Sequence, residues 1–149
     1  MEFCSFARIQ MGRVIAIDYG LKRCGIAVTD EQQNFAFPLD TVATNLLHEF
    51  LQDYCSKNEV DGFVVGLPLR NNNTATHSTP HIEGFVKRLL KQFPQKSVYR
   101  IDERFTSVIA KRTLVDAGLK KSRRQDKSLV DKVSATIILQ SWIESQSRL

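Results

Sequence analysis

Residues 13–30, Arg-Val-Ile-Ala-Ile-Asp-Tyr-Gly-Leu-Lys-Arg-Cys-Gly-Ile-Ala-Val-Thr-Asp, constrain the fold more than any other stretch. An apolar run, Val14 to Ile17, ends in Asp18; Tyr19, Gly20 and a short basic segment follow, and a second apolar run goes from Gly25 to Val28. β-Branched residues in both runs and glycines around the turn predict two strands joined tightly. Asp18 is the residue out of place, because Asp is depleted in strands. A carboxylate at the end of a central strand needs a cation, a donor or water. It is either a turn Asp that accepts from nearby backbone N–H groups, or a metal ligand or phosphate-site residue at a sheet edge.

The rest of the chain extends this start into an α/β sheet. Phe35 to Val42 reads as a third strand, with Pro38 suited to an edge, so strands one to three form an antiparallel meander. Residues 44–58 switch to helical spacing, with Leu47, Phe50, Leu51 and Tyr54 on one stripe and Asn45 as the expected N-cap. Val60 to Gly66 is a buried strand, and Pro68 leaves it. Residues 70–79 are a polar loop. Thr79-Pro80 starts a helix that runs to Phe93, with Ile82, Phe85, Val86, Leu89, Leu90 and Phe93 inward. Ser97 to Ile101 is a fifth strand. Thr106 caps a helix that stops at Gly118, 119–128 is a loop, and a last helix runs from near Ser128 to Ser145. Helix-bearing connections join parallel strands. The expected fold is therefore a five-stranded mixed sheet, three antiparallel strands then two parallel, flanked by helices. A site in such a sheet lies beyond the carboxyl ends of the strands.

With 149 residues the chain reads as one domain. Residues 1–11 look like an N-terminal extension outside the core, and 12–149 form the domain. A chain of this size buries roughly 70% of its unfolded surface and needs no staple to fold. Three widely spaced cysteines, Cys4, Cys24 and Cys55, form no Cys-x-x-Cys. That argues against a disulfide framework or zinc site and for a reducing cytoplasm. No apolar run approaches a membrane span. The net charge of +5 is uneven: Lys120, Lys121, Arg123, Arg124, Lys127 and Lys132 crowd one segment against Asp126 and Asp131. Such a cluster is either a solvated face or a footprint for phosphate backbones.

Three carboxylates fall at element ends: Asp18, Glu103 beside Asp102, and Asp131. From Asp131, the positions i+4, i+7 and i+11 are Ala135, Ile138 and Trp142, the apolar face of the last helix. Asp131 therefore opens the stripe that faces the sheet. Ser128-Leu-Val-Asp131 also has capping-box spacing, and an acid there suits the helix dipole. Glu103 has an alternative as a surface ion pair with Arg104 or Lys111. Together, three such acids suit hard cations, Mg2+ or Mn2+, and two ions can stabilise both oxygens of a phosphodiester exchange. Lys22, Arg23, Arg70, Arg104, Lys120, Lys121, Arg123, Arg124, Lys127 and Lys132 are the candidate phosphate contacts. His48, His77 and His81 read as surface or loop residues, since Thr79-Pro80 breaks any helical face between the last two.

Four stretches together resemble one family. They are Ala16-Ile17-Asp18-Tyr19-Gly20 with Gly25-Ile26-Ala27-Val28; Val65-Gly66-Leu67-Pro68-Leu69; Asp102-Glu103-Arg104-Phe105-Thr106-Ser107; and Val130-Asp131-Lys132-Val133-Ser134-Ala135 with Ile138-Leu139-Gln140. In order and spacing they are similar to the YqgF/RuvX family, whose members carry the names Holliday-junction resolvase and pre-16S ribosomal RNA nuclease. Phe105 replaces a usual Leu, and Asn71 to Asn73 stand where relatives often have Gly. The resemblance implies an RNase H-like fold and a metal-dependent nuclease whose presumed active-site acids fall on Asp18, Glu103 and Asp131.

The expected function is hydrolysis of phosphodiester bonds in structured nucleic acid, foremost at the 5′ end of pre-16S ribosomal RNA. The alternatives are a resolvase cutting branched DNA and a non-catalytic nucleic-acid-binding module. Sugar kinases and actin-like ATPases share the Asp-x-Gly strand end, but they need two such lobes. A resolvase favours a homodimer and a trimming ribonuclease a monomer. A ribosomal or other protein partner is compatible with either, and no membrane role is expected.

Overall fold

Alternation along the first strand sets two cores on opposite sides of a sheet. The computed structural model describes residues 12–67, 79–102, 115, 117–118, 120 and 126–147. Within these, β1 (Arg13–Asp18), β2 (Arg23–Thr29), β3 (Ala36–Ala43), β4 (Val60–Leu67) and β5 (Ser97–Asp102) form one sheet in the order β3-β2-β1-β4-β5. β1 pairs antiparallel with β2, and β2 with β3; β4 runs parallel to both β1 and β5. This is the expected mixed sheet. The carboxyl ends of β1, β4 and β5 point the same way.

Three helices cover it: α1 (Leu47–Lys57), α2 (Thr79–Gln92) and α3 (Lys127–Ser147). Ile15 and Ile17 of β1 join Phe63, Leu47, Leu51, Ile82, Phe85 and Leu89 in a core beneath α1 and α2. Val14 and Ala16 join Ala27, Val64, Ala135, Ile138, Leu139 and Trp142 beneath α3. Full burial of each large side chain stabilises by about 1.5–3 kcal/mol. The β5 edge is tied to α2 by a two-pronged ion pair between Arg100 and Glu83. Pro38 lies on edge strand β3, where its missing N–H leaves no ladder bond unmade. The register steps beside it, with Leu39 the extra residue between Pro38 and Asp40.

Four local expectations are corrected. Asn45 does not cap α1: a 3-10 turn, Thr44–Leu46, precedes the helix, and no side chain caps it. The Thr44 hydroxyl donates to the Gly20 carbonyl at 2.7 Å and its N–H to the Lys22 carbonyl at 3.0 Å, which pins that turn to the β1–β2 connection. Leu90 is exposed, because neighbouring helix positions diverge and Leu89 takes the inward one. Phe35 precedes β3 rather than opening it. The Asp30 carboxylate accepts the Asn34 and Phe35 N–H groups at 2.8 and 2.9 Å, folding a turn there. His48 is half-buried, bonded through Nδ1 to Gln92 at 2.7 Å and tilted against Phe85; His81 is exposed and His77 lies outside the described residues. Gly118 has φ 77° and donates to the Val115 carbonyl at 2.9 Å, the expected glycine stop. The rest of the helix expected from Thr106 lies outside the described residues, as do residues 1–11. No helix among the described residues is long and apolar enough to cross a membrane.

The entry to β1 depends on one hydroxyl. The β1–β4 register shifts between Arg13 and Val14, and the Val14 N–H goes to the fully buried Thr29 Oγ1 at 2.9 Å. Thr29→Val leaves that donor unsatisfied, and is expected to lower unfolding free energy in urea by about 1–3 kcal/mol. Thr29→Ser should recover most of it; a Val variant as stable as the parent would remove this role.

Candidate active site

Asp18 shares a face of β1 with Val14 and Ala16, the face covered by α3. Its cross-strand partner is Gly25. A Cβ on Gly25 would sit 2.0 Å from the backbone oxygen of Asp131, an impossible contact. The first turns of α3 can therefore lie directly on β2 only because residue 25 has no side chain. Ala16 and Ala27 continue that low floor beneath Ala135 and Ile138. The strand places Asp18, and the glycine lets Asp131 descend beside it.

Two contacts fix the start of α3. Asp126 caps it, its carboxylate accepting the Ser128 N–H at 3.0 Å while its carbonyl accepts the Val130 N–H at 3.1 Å. The Thr41 hydroxyl on β3 donates to the Ser128 carbonyl at 2.7 Å. The capping box read from Ser128 and Asp131 is thus corrected. The helix begins at Lys127, a residue before the predicted start, and the Asp131 carboxylate has no cap to make.

That carboxylate meets Arg23. The Arg23 Nε donates to Asp131 Oδ2 at 2.9 Å, and both side chains are only partly exposed, 37% and 26%. Burial pushes the Asp131 carboxyl up from its ordinary range, against the lowering influence of Arg23 and Lys127. Cys24, between Arg23 and Gly25 but facing the other core, reports on both acids. Burial pushes its thiol up, hydrogen bonds to Thr44 and Gly20 oppose that, and the Asp18 and Asp131 charges add to it. Tyr19 turns to the opposite face from Asp18, stacking on Phe85 with centroids 4.9 Å apart. Burial raises its hydroxyl, with Arg88 acting against that.

Of the predicted acids, the structure brings Asp18 and Asp131 to one end of one face. Glu103 lies outside the described residues, immediately after β5, which reaches Asp102 at this same end of the sheet. Among the described residues no three His, Cys, Asp or Glu side chains gather closely enough to hold a metal ion. Of the predicted phosphate contacts, Lys22, Lys120 and Lys127 are exposed and Lys132 is half-buried. Arg23 is half-buried and bonded to Asp131. Arg70, Arg104, Lys121, Arg123 and Arg124 lie outside the described residues. Sequence reasoning missed the packing role of Gly25, the Thr41 anchor and the Asp126 cap. A glycine inside a strand pattern is a signal of close backbone approach and could have found the first.

Two outcomes follow from this geometry. Gly25→Ala forces the first turns of α3 off the sheet and is expected to destabilise by about 1–3 kcal/mol, as overpacked cores do. Urea unfolding checks it; a neutral Ala variant would deny the close contact. The second concerns pH. The folded-state pKa of Asp131 is raised, so the native state takes up the proton first as pH falls. Relative to Asp131→Asn, the parent should lose stability as pH rises from about 4 toward 7. Urea midpoints across that range test this; an opposite slope would mean that the Arg23 pair outweighs burial.

Comparisons with known proteins agree with this frame. The profile of the RuvX family, described as Holliday junction resolvase, matches residues 12–145. A Bacteroides thetaiotaomicron protein named "Putative pre-16S rRNA nuclease" is 52% identical over 136 residues, 91% of this chain and 99% of its own. Proteins of the same name from Christiangramia forsetii and Porphyromonas gingivalis are 49% and 48% identical, covering 89% and 93% of this chain and 98% and 100% of theirs. Among solved structures, T. thermophilus RuvC in complex with Holliday junction substrate matches with a TM-score of 0.55 at 15% identity, over 91% of this chain and 96% of that one. At that identity the likeness is one of fold, and the fold is RNase H-like. With nearly the whole described core inside the matched span, the chain belongs to the RuvX family.

Proposed function

We propose that this chain is a divalent-metal-dependent nuclease that hydrolyses phosphodiester bonds in structured nucleic acid, and that its substrate is the 5′ end of pre-16S ribosomal RNA in the cytoplasm. The observation that carries the reading is the convergence of Asp18 and Asp131 on one face at the carboxyl end of the central strand. The substrate rests on relatives near 50% identity over almost their whole length that bear the pre-16S rRNA name. The fold neighbour that holds a Holliday junction is far more distant, at 15% identity.

The donor chemistry fits magnesium or manganese. Both described acids offer hard carboxylate oxygens, and the Cys24 thiol packs into the opposite core. Asp18, Asp131 and Glu103 would hold the ion. When bound, such an ion supplies positive charge to the attacking and leaving oxygens of a phosphodiester. The remaining work belongs to the chain. Asp18 is held by the β1 ladder and Asp131 by α3 on Gly25, so neither carboxylate needs to be gathered during the reaction. Lys22 and Lys127, both exposed near these acids in sequence and fold, would grip phosphates flanking the scissile bond. Lys120, Lys121, Arg123 and Arg124 would extend that grip along the strand.

Asp18→Asn is expected to reduce cleavage of a precursor 16S RNA end by about a hundredfold or more while leaving urea unfolding cooperative. A four-way DNA junction offered beside the RNA separates the readings. Paired symmetric nicks in the junction would make the chain a resolvase, and RNA binding without any cleavage would make it a binding module. Replacing Lys120, Lys121, Arg123 and Arg124 by Gln should flatten the dependence of RNA affinity on log salt, by roughly 0.7 for each phosphate no longer neutralised. An unchanged slope would remove that segment from the interface.

A further inference from the structure

Arg23 was expected to hold phosphate, and in the folded chain it holds Asp131. The pairing is peculiar in form. Arg23 uses Nε alone, at 2.9 Å from Oδ2, rather than the two-pronged fork it offers a carboxylate. Among the described residues it makes no other hydrogen bond. Its side chain is 37% exposed. Its position is also particular: Arg23, Gly25 and Ala27 alternate on one face of β2, so Arg23 lies one step beyond the residue paired with Asp18. The charge on Asp131 has to be met in this half-buried place, and among the described residues the guanidinium meets it.

We propose that Arg23 is an exchangeable counter-ion: it neutralises Asp131 while the site holds no metal, and on loading it leaves that carboxylate for a non-bridging phosphate oxygen of the bound strand. This rests on the reading of Asp131 as a metal ligand. A divalent ion and a guanidinium compete for the same carboxylate oxygen and repel each other across it. The phosphate backbone of the substrate supplies the acceptor that Arg23 needs once displaced, and its planar guanidinium suits two-pronged phosphate recognition. Asp131 is never left as an uncompensated buried charge, and the cation that guards it becomes a substrate contact. The device also orders events: metal binding alone displaces Arg23 at a penalty, and metal with nucleic acid removes that penalty. The two ligands therefore bind more tightly together than apart.

The two roles have opposite signatures in metal affinity. Mn2+ binding to the full chain, followed by the EPR signal of free Mn2+ without nucleic acid, is compared for the parent, Arg23→Met, Arg23→Lys and Asp18→Asn. Arg23→Met is expected to bind Mn2+ about tenfold more tightly than the parent, the scale on which a neighbouring charge shifts a carboxylate's proton affinity. Arg23→Lys should fall near the parent. The Met variant should also bind a precursor RNA end more weakly with metal present, and adding RNA should strengthen Mn2+ binding less than in the parent. Weaker or unchanged Mn2+ affinity in Arg23→Met would overturn the exchange, since a fixed structural tether or a bystander gives that result. Mn2+ binding that Asp18→Asn leaves unaltered, or no binding by any form, would overturn the metal-site reading itself and the exchange with it.

Discussion

The structure depends on one close contact, the backbone of Asp131 resting on Gly25 at a separation that no side chain could share. A helix normally packs on a sheet through interlocking side chains. Here the Asp131 backbone lies directly on Gly25, although Val130 is buried at the same end of α3 and Ile138, Leu139 and Trp142 pack further along. That close approach falls at the end of the helix that carries the acid. The Asp126 cap and the Thr41 bond hold it against rotation and lift. Asp18 needs no such arrangement, because it is a rung of the central ladder.

This geometry leaves two acids in a half-buried place, and the electrostatics follow. Burial, with a smaller push from the Asp126 charge, raises the Asp131 carboxyl, and Arg23 and Lys127 offset part of that. A half-buried carboxylate is costly to keep charged, and acids perturbed in this way gather at functional sites. Such a conflict between folding and local chemistry is what a site looks like from the side of stability. The Thr29 hydroxyl is the contrary case, a fully buried polar group whose partner, the Val14 N–H, accounts for it completely.

Much of this was legible in the sequence. The β-branched runs around Asp18, the proline at an edge position and the helical spacing of Ala135, Ile138 and Trp142 led to the right sheet and the right helix face, because burial pattern and backbone chemistry act locally. The misses are also physical. Asn45 looked like a cap, but a tertiary bond from Thr44 to Gly20 reshaped the turn before it. Ser128 and Asp131 had capping-box spacing, but Asp126 had already taken the role, which composition alone could not rank. The Arg23–Asp131 pair could not be foreseen, because nothing in linear order brings residue 23 to residue 131. Glu103, the third acid that the resemblance implies, lies just past the described end of β5.

The proposed metal centre has Asp18 and Asp131 as its two sides. A crystal of the chain soaked in manganese, read by anomalous scattering, tests it most directly. The expected result is a single Mn2+ peak at ligation distance, about 2 Å, from carboxylate oxygens of both Asp18 and Asp131, with Arg23 moved off Oδ2. A peak on one acid alone, or none with the Arg23 pair intact, would contradict it.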